Sequence, residues 1–293
     1  MNSLGLLIPV TPRNQALRAA TLVLCVLVFS LGASIFSGWL WDLPTLLRMF
    51  SGPVAMKPNA ALGLIVCSMT LALLVWPGTP RWARHVLTGT ALAVAVTATL
   101  TLSQDILGWN LGIDQWLFQD PDTSGRSTPG RVSPPAAFCF GLMGVALATL
   151  SRPPAAPLRL PIASALGCAV IVIAALSLGG HLVNVLQGNR SWNFSPVAVD
   201  TALSFLLLGV ALLLVARTEG GLSWFTDRLV LGGFVAGILG LLIAAGTAYQ
   251  FARQMQSSAV LVSHSQKVLK EIEEVKSDPG GYHQHLAQLC HHR

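Results

Sequence analysis

Charge is what this chain has least of. Only 10% of its 293 residues are Asp, Glu, Lys or Arg, against about 25% in an ordinary soluble domain. So few charges cannot cover the surface of a soluble fold of this length, which excludes a single soluble enzyme domain. A disordered chain is excluded too, because it needs high charge and low hydrophobicity. Spacing that would hold a metal is missing. Of Cys25, Cys67, Cys139, Cys168 and Cys290, none forms a CxxC pair, and four lie inside apolar runs where Cys acts as a small hydrophobe. Neither a disulfide framework nor a zinc site is expected. HExxH, paired intramembrane carboxylates and a Ser/His constellation are also missing, so no catalytic residue, metal or cofactor is assigned. The net charge of +6 comes from basic residues scattered in pairs between apolar runs. That is the pattern of topology signals, and no nucleic-acid partner is expected.

What the chain does have is apolar length: 53% of residues are hydrophobic and the mean hydropathy is +0.64. A bilayer core of about 30 Å takes roughly 20 apolar residues per helix. Seven stretches qualify, at about 17–40, 58–76, 83–104, 134–151, 158–180, 196–216 and 228–250. The expected fold class is therefore all-α, a polytopic membrane protein of about seven transmembrane helices. Arg13/Arg18, Arg81/Arg84, Arg152/Arg159 and Arg217/Arg228 mark alternate connections. The positive-inside rule then puts the N-terminus in the cytoplasm and, after seven spans, the C-terminus outside. The expected organisation is a cytoplasmic segment 1–16, a membrane sensory domain 17–250, an extracytoplasmic amphipathic helix 251–277 and a disordered tail 278–293.

Three apolar segments align on Ala61, Ala137 and Ala202, with a small residue seven positions later in each (Ser68, Gly144, Gly209). The separations of 76 and 65 residues suggest three helix-pair repeats following a lone first helix. Each copy is expected to run inward from the outer side, with Ser133 and Ser195 as N-caps. Between the third and fourth spans lies SQDILGWNLGIDQWLFQDPDTSGRSTPGRVSP. It reads as a short amphipathic helix with Trp109 and Trp116 at headgroup level, and as a lid over a ligand pocket or a plain interfacial anchor. The ligand-sensing candidates are Asp114, Trp116 and Trp109 on this loop, His181 and Arg190 near the fifth-to-sixth connection, and Asp200 in the first turn of span six. An ionisable group inside a span is a functional candidate by default; a carboxylate in a first turn is also favoured by the helix dipole.

After span seven the chain carries a stripe that includes Leu261, Val262, Leu269 and Ile272. At helical spacing this reads as a signalling helix that needs a partner, so a homodimer through the last span and the outer helix is expected. Asp278-Pro279-Gly280-Gly281 stops it. The His283, His285, Cys290, His291 and His292 tail fits no standard metal spacing.

Three pieces carry a family resemblance: MKPNAALGL from Met56, LGIDQWLFQDP from Leu111 running on through PGRVSPPAAFCFGLMGVAL, and TALSFLLLGVALLL from Thr201. They resemble the multi-span N-terminal regions of bacterial sensor histidine kinases. The chain departs from the Met-x-Pro-Asn-Thr-Ala pattern of that family, with Ala60 and Ala136 where Thr is usual. The segment SSAVLVSHSQKVLKEIEEVKSD is similar to the first helix of a CHASE-type extracytoplasmic sensory domain of the third class. The resemblance implies a sensory input module in the bacterial cytoplasmic (inner) membrane, without a kinase output domain and acting with a separate kinase or cyclase partner. A small-molecule or ion transporter or channel subunit is the alternative. Its mid-membrane polar cluster is missing from the spans.

Overall fold

The computed structural model describes residues 12–43, 46, 56–118, 129–153, 156, 158–187 and 197–219. All lie within one unit, Met1–Thr247. Among the described residues there are six helices and no strand. They are α1 (Pro12–Leu40), α2 (Pro58–Val75), α3 (Arg81–Leu107), α4 (Pro134–Leu150), α5 (Arg159–Gln187) and α6 (Val199–Thr218). Five are long and apolar enough to cross a membrane; α4 is apolar but has 17 residues. At 1.5 Å per residue α4 spans about 26 Å, roughly a turn short of a hydrocarbon core. The apolar stretch at 228–250, the helix expected at 251–277 and the tail lie outside the described residues.

Helix ends follow local chemistry. Pro58 opens α2, and Pro134 with Pro135 opens α4. Proline tolerates a first turn because its missing N–H had no partner there anyway. Ser133 holds the N-cap position of α4, but its hydroxyl makes no capping bond, because the two prolines remove two of the donors a cap would serve. Ser195 lies outside the described residues, and α6 starts after Ala198 instead. Gly108 ends α3 in the left-handed conformation (φ 70°), its N–H donating to the carbonyl of Gln104. Along α3, the hydroxyls of Thr88, Thr90, Thr97, Thr99 and Thr101 each donate to the carbonyl four residues back. Polar side chains are thereby satisfied within an apolar helix.

The α6 helix is the inner element. Every residue from Val199 to Ala216 is buried, as expected of a helix apolar all round. It packs on α5 and α1 and, over shorter stretches, on α2 and α4. The outer helices turn apolar side chains outward, among them Val26, Val96 and Leu176, the last 72% exposed. An apolar core with an apolar periphery is compatible with a membrane-embedded protein.

The closest helix pairs are α1–α2, α3–α4 and α5–α6, whereas α2 and α3 touch little. The expected repeat units, which join the second span to the third along the sequence after a lone first helix, do not coincide with these tightest contacts. Small residues decide the pairing. A Cβ on Gly32 would sit 3.1 Å from the Ala61 carbonyl, one on Gly144 would lie 2.7 Å from the Ala91 carbonyl, and one on Gly209 3.0 Å from the Gly167 carbonyl. Backbones approach that closely only where a side chain is missing, which is how helices associate without a hydrophobic driving force. The six aligned repeat positions (Ala61, Ala137, Ala202, Ser68, Gly144, Gly209) are all buried. The inner three helices meet where Phe140 of α4 stacks edge-on against Phe205 of α6, ring centroids 4.7 Å apart, and closes over Gly63 of α2.

The two ends of the bundle differ in charge. At one end the starts of α1, α3 and α5 meet the ends of α2, α4 and α6. Arg159, for example, donates from Nε to the Leu150 carbonyl at 2.9 Å and pairs with Glu219. Arg18, Arg84 and Arg159 are at this end. The opposite end holds Asp105, Asp114, Asp200 and Arg131, and residues 108–118 of the loop after α3.

Candidate ligand cavity beneath the loop after α3

Because α2 leans on α1 while α3 leans on α4, a wedge opens between α2 and α3. It holds a cavity of about 490 Å³. Val66 of α2, Ala98 and Thr101 of α3, and Phe140 of α4 form its walls; Ile113, Asp114, Trp116 and Leu117 of the loop close one end. Ala93, Thr97 and Leu100 line it and are exposed, so the cavity opens sideways between the two helices. Its lining is predominantly apolar, as ligand pockets are.

The loop is not the amphipathic helix expected from its sequence. Residues 108–118 form turns, bends and irregular backbone. Gly108 and Gly112 take positive φ (70° and 71°), a conformation at odds with a right-handed helix. A polar cluster fixes the loop instead. The Asp114 carboxylate accepts from Nε of Arg131 at 2.8 Å and from Nε2 of Gln104 at 3.3 Å. Arg131 also donates to Asp105 at 3.1 Å and to Oε1 of Gln104 at 3.4 Å. The same Gln104 oxygen accepts the backbone N–H of Leu111 at 2.7 Å. From α2, Nδ2 of Asn59 donates to the Asp114 carbonyl at 2.8 Å. Gly130 (φ 75°) lets the return segment pass the loop, since a Cβ there would lie 2.8 Å from the Asp114 carbonyl. An aromatic contact adds to this: Phe118 lies edge-on to Phe36 at 5.7 Å and tilted against Trp39 at 6.3 Å, and Trp39 donates to the Met56 carbonyl at 3.0 Å.

Burial alone works against the charge on Arg131. The hydrogen bonds and attraction of Asp114 and Asp105 outweigh it and hold its pKa above the ordinary guanidinium value. The cation therefore persists throughout the working pH range, and the cluster spends its polar capacity internally. What it leaves to a ligand is an apolar chamber with a few threonine oxygens as acceptors. Such an arrangement suits binding of an apolar or amphipathic small molecule.

Of the residues singled out from sequence, Asp114 and Trp116 come together at the cavity. Asp114 is buried, while Trp116 is 85% exposed at its rim. Trp109 is half exposed on the same loop but does not line the cavity. Asp200 is buried in the first turn of α6, where its carboxylate accepts the N–H of Thr201 at 2.9 Å. It satisfies one of the helix's own orphan donors and does not line this cavity. The His181 ring meets the Val197 carbonyl, bracing α5 against the entry to α6, also away from the cavity. Arg190, Leu261, Val262, Leu269, Ile272 and the His/Cys tail lie outside the described residues. The residues that sequence reading missed are Asn59, Gln104 and Arg131. Asn59 and Arg131 sit inside the segments MKPNAALGL and PGRVSPPAA, and Arg131 closes a loop that carries Asp105, Asp114, Asp120 and Asp122; a cation beside those carboxylates was the available signal.

Comparison with protein-family models, curated proteins and solved structures returns no match.

Proposed function

We propose that the chain is a membrane-embedded sensory input module of a two-component-type signalling protein, built from seven spans in three related helix pairs. Its N-terminus is cytoplasmic in the bacterial inner membrane, and it works as a homodimer through the last span and the outer helix, with a kinase or cyclase partner. The observation that carries this reading is the 490 Å³ apolar cavity, roofed by a loop that a buried ion cluster ties to α2, α3 and the segment leading into α4. A molecule entering between α2 and α3 would press on Phe140, whose ring rests on Phe205 of the central helix. Ligand and helix packing are thereby linked, and a signal shifts the packing by its differential affinity for two arrangements. The resemblance of the quoted segments to sensor kinase input regions supports the same reading.

A transporter or channel needs a passage between the two ends. A second pocket, at the Arg18/Arg84 end, shares no lining residue with this cavity, which favours sensing.

The test is saturable binding of a naphthalene-type fluorophore to the full chain in nanodiscs. Ala93→Phe, which adds a ring at an exposed lining position, is expected to weaken binding about tenfold or more, equivalent to about 1.4 kcal/mol, with helix content unchanged. Binding that stays unsaturable, or that Ala93→Phe leaves untouched, defeats the proposal.

A further inference from the structure

A second pocket, of about 300 Å³, lies at the opposite end of the bundle among the starts of α1 and α3 and the ends of α2 and α6. Its walls are mostly polar. Arg18 of α1 and Arg84 of α3 face it, together with Trp76 and Gly78 after α2 and Thr218 and Glu219 at the end of α6. We propose that it binds a phosphate-bearing anion, and that in the membrane this is the headgroup phosphate of an anionic phospholipid.

Three observations converge on that chemistry. First, Nη1 of Arg84 is buried from solvent and has no hydrogen-bond partner among the described residues. A buried charged donor left unpaired is costly, so a native site supplies an acceptor. Second, the carboxylate in the lining is already engaged. Both oxygens of Glu219 accept from Arg159, Oε1 at 3.3 Å and Oε2 through the Nη1 contact. At the end of α2 the Thr79 hydroxyl, with one proton to give, lies 2.7 Å from the Leu73 carbonyl and 2.9 Å from that of Trp76. With Glu219 balanced by Arg159, two guanidinium groups on two different helices remain to define the pocket's charge, and guanidinium forks match phosphate oxygens bidentately. Third, Trp76 and Trp82 flank this end at 60% and 71% exposure. Indole rings in that position mark headgroup depth, where a lipid phosphate lies and a soluble metabolite does not concentrate. A bound headgroup would join α1 to α3 across the side where α2 and α3 barely touch.

The test compares the full chain in nanodiscs of phosphatidylcholine alone, in nanodiscs with added phosphatidylglycerol, and in detergent with inorganic phosphate. Thermal unfolding and native mass spectrometry of retained lipid are the readouts. Wild-type protein should retain phosphatidylglycerol and unfold at a higher temperature with it. R18Q/R84Q should retain about tenfold less, the loss expected from removing charge-assisted hydrogen bonds, while unfolding like wild type in phosphatidylcholine. R81Q/R152Q, which removes two exposed arginines outside the pocket, should behave as wild type. If R18Q/R84Q does not fold, the single change Arg18→Gln at a half-buried position serves instead. A gain with phosphatidylglycerol but not inorganic phosphate assigns the lipid; a gain with inorganic phosphate alone keeps the anion site and overturns the lipid as occupant. No gain in either condition, or equal loss in both double variants, overturns the site.

Discussion

The Arg131 guanidinium reaches two carboxylates and a glutamine oxygen from one planar group, with its side chain 8% exposed. Arg131→Ala leaves Asp114 buried beside no cation. Removing one partner of a buried pair costs about 3–5 kcal/mol; because Asp105 is more exposed than Asp114 and can rehydrate, a loss of about 2–3 kcal/mol is expected here. Arg131→Lys keeps the charge but not the fork, and should lose about half as much. Thermal unfolding of the purified protein, followed through tryptophan emission, checks both. On pH the sign is fixed. A pKa raised in the folded state gives stability that is present below the ordinary guanidinium range and lost only above it. Alkaline titration short of that range should therefore leave the Arg131 contribution intact. Asp114 and Trp116 could be singled out from sequence because a charged and an aromatic residue stand out in an apolar chain. Gln104 and Asn59 could not, since a neutral amide gains meaning only from the group it faces, and that group sits 10 residues away for one and 55 for the other.

At the scale of helices, packing rests on missing side chains. Gly144→Ala places a methyl group 2.7 Å from the backbone of Ala91 and Ala95; α3 and α4 must part, and overpacking of this kind costs about 1–3 kcal/mol. Gly89→Ala, on the same α3, meets nothing within 4 Å and should be neutral or stabilising by up to about 1 kcal/mol. The pair of variants, compared by thermal unfolding in one detergent, separates close approach from helix propensity. The element positions were readable beforehand: the apolar run expected at 58–76 is Pro58–Val75 and that at 134–151 is Pro134–Leu150, because apolar length and proline starts are local properties. The pairing of helices was not. A repeat along the sequence does not say which helices touch: Gly32 brings α1 against α2, and the cavity separates α2 from α3. The loop after α3 failed for a related reason. Its apolar residues have helical spacing, but Gly108, Gly112 and the pull of Arg131 on Asp114 outweigh that pattern.

For the whole molecule, the arrangement of helix ends gives a direct expectation. Single cysteines at Gly78 and at Trp116, introduced separately into a cysteine-free background, lie at opposite ends of the bundle. A membrane-impermeant maleimide applied to intact cells stripped of their outer membrane should label Trp116→Cys and spare Gly78→Cys; the reverse labelling would invert the proposed orientation, and equal labelling would count against a spanning bundle. Reporter fusions after Ala259, one active only outside and one only in the cytoplasm, extend the same test past the described residues, with the outside reporter expected to be active. By itself the sequence determined a composition compatible with a membrane, the helical element type and the approximate positions of the described helices, because scarcity of charge and runs of about 20 apolar residues are one-dimensional quantities with direct physical consequences. The tertiary structure decided which helices pair, that the loop is a braced roof, and that Arg131, Gln104 and Asn59 act together. Those outcomes depend on which small residue meets which backbone and which donor finds which acceptor across long stretches of chain, and such encounters exist only once the helices have packed.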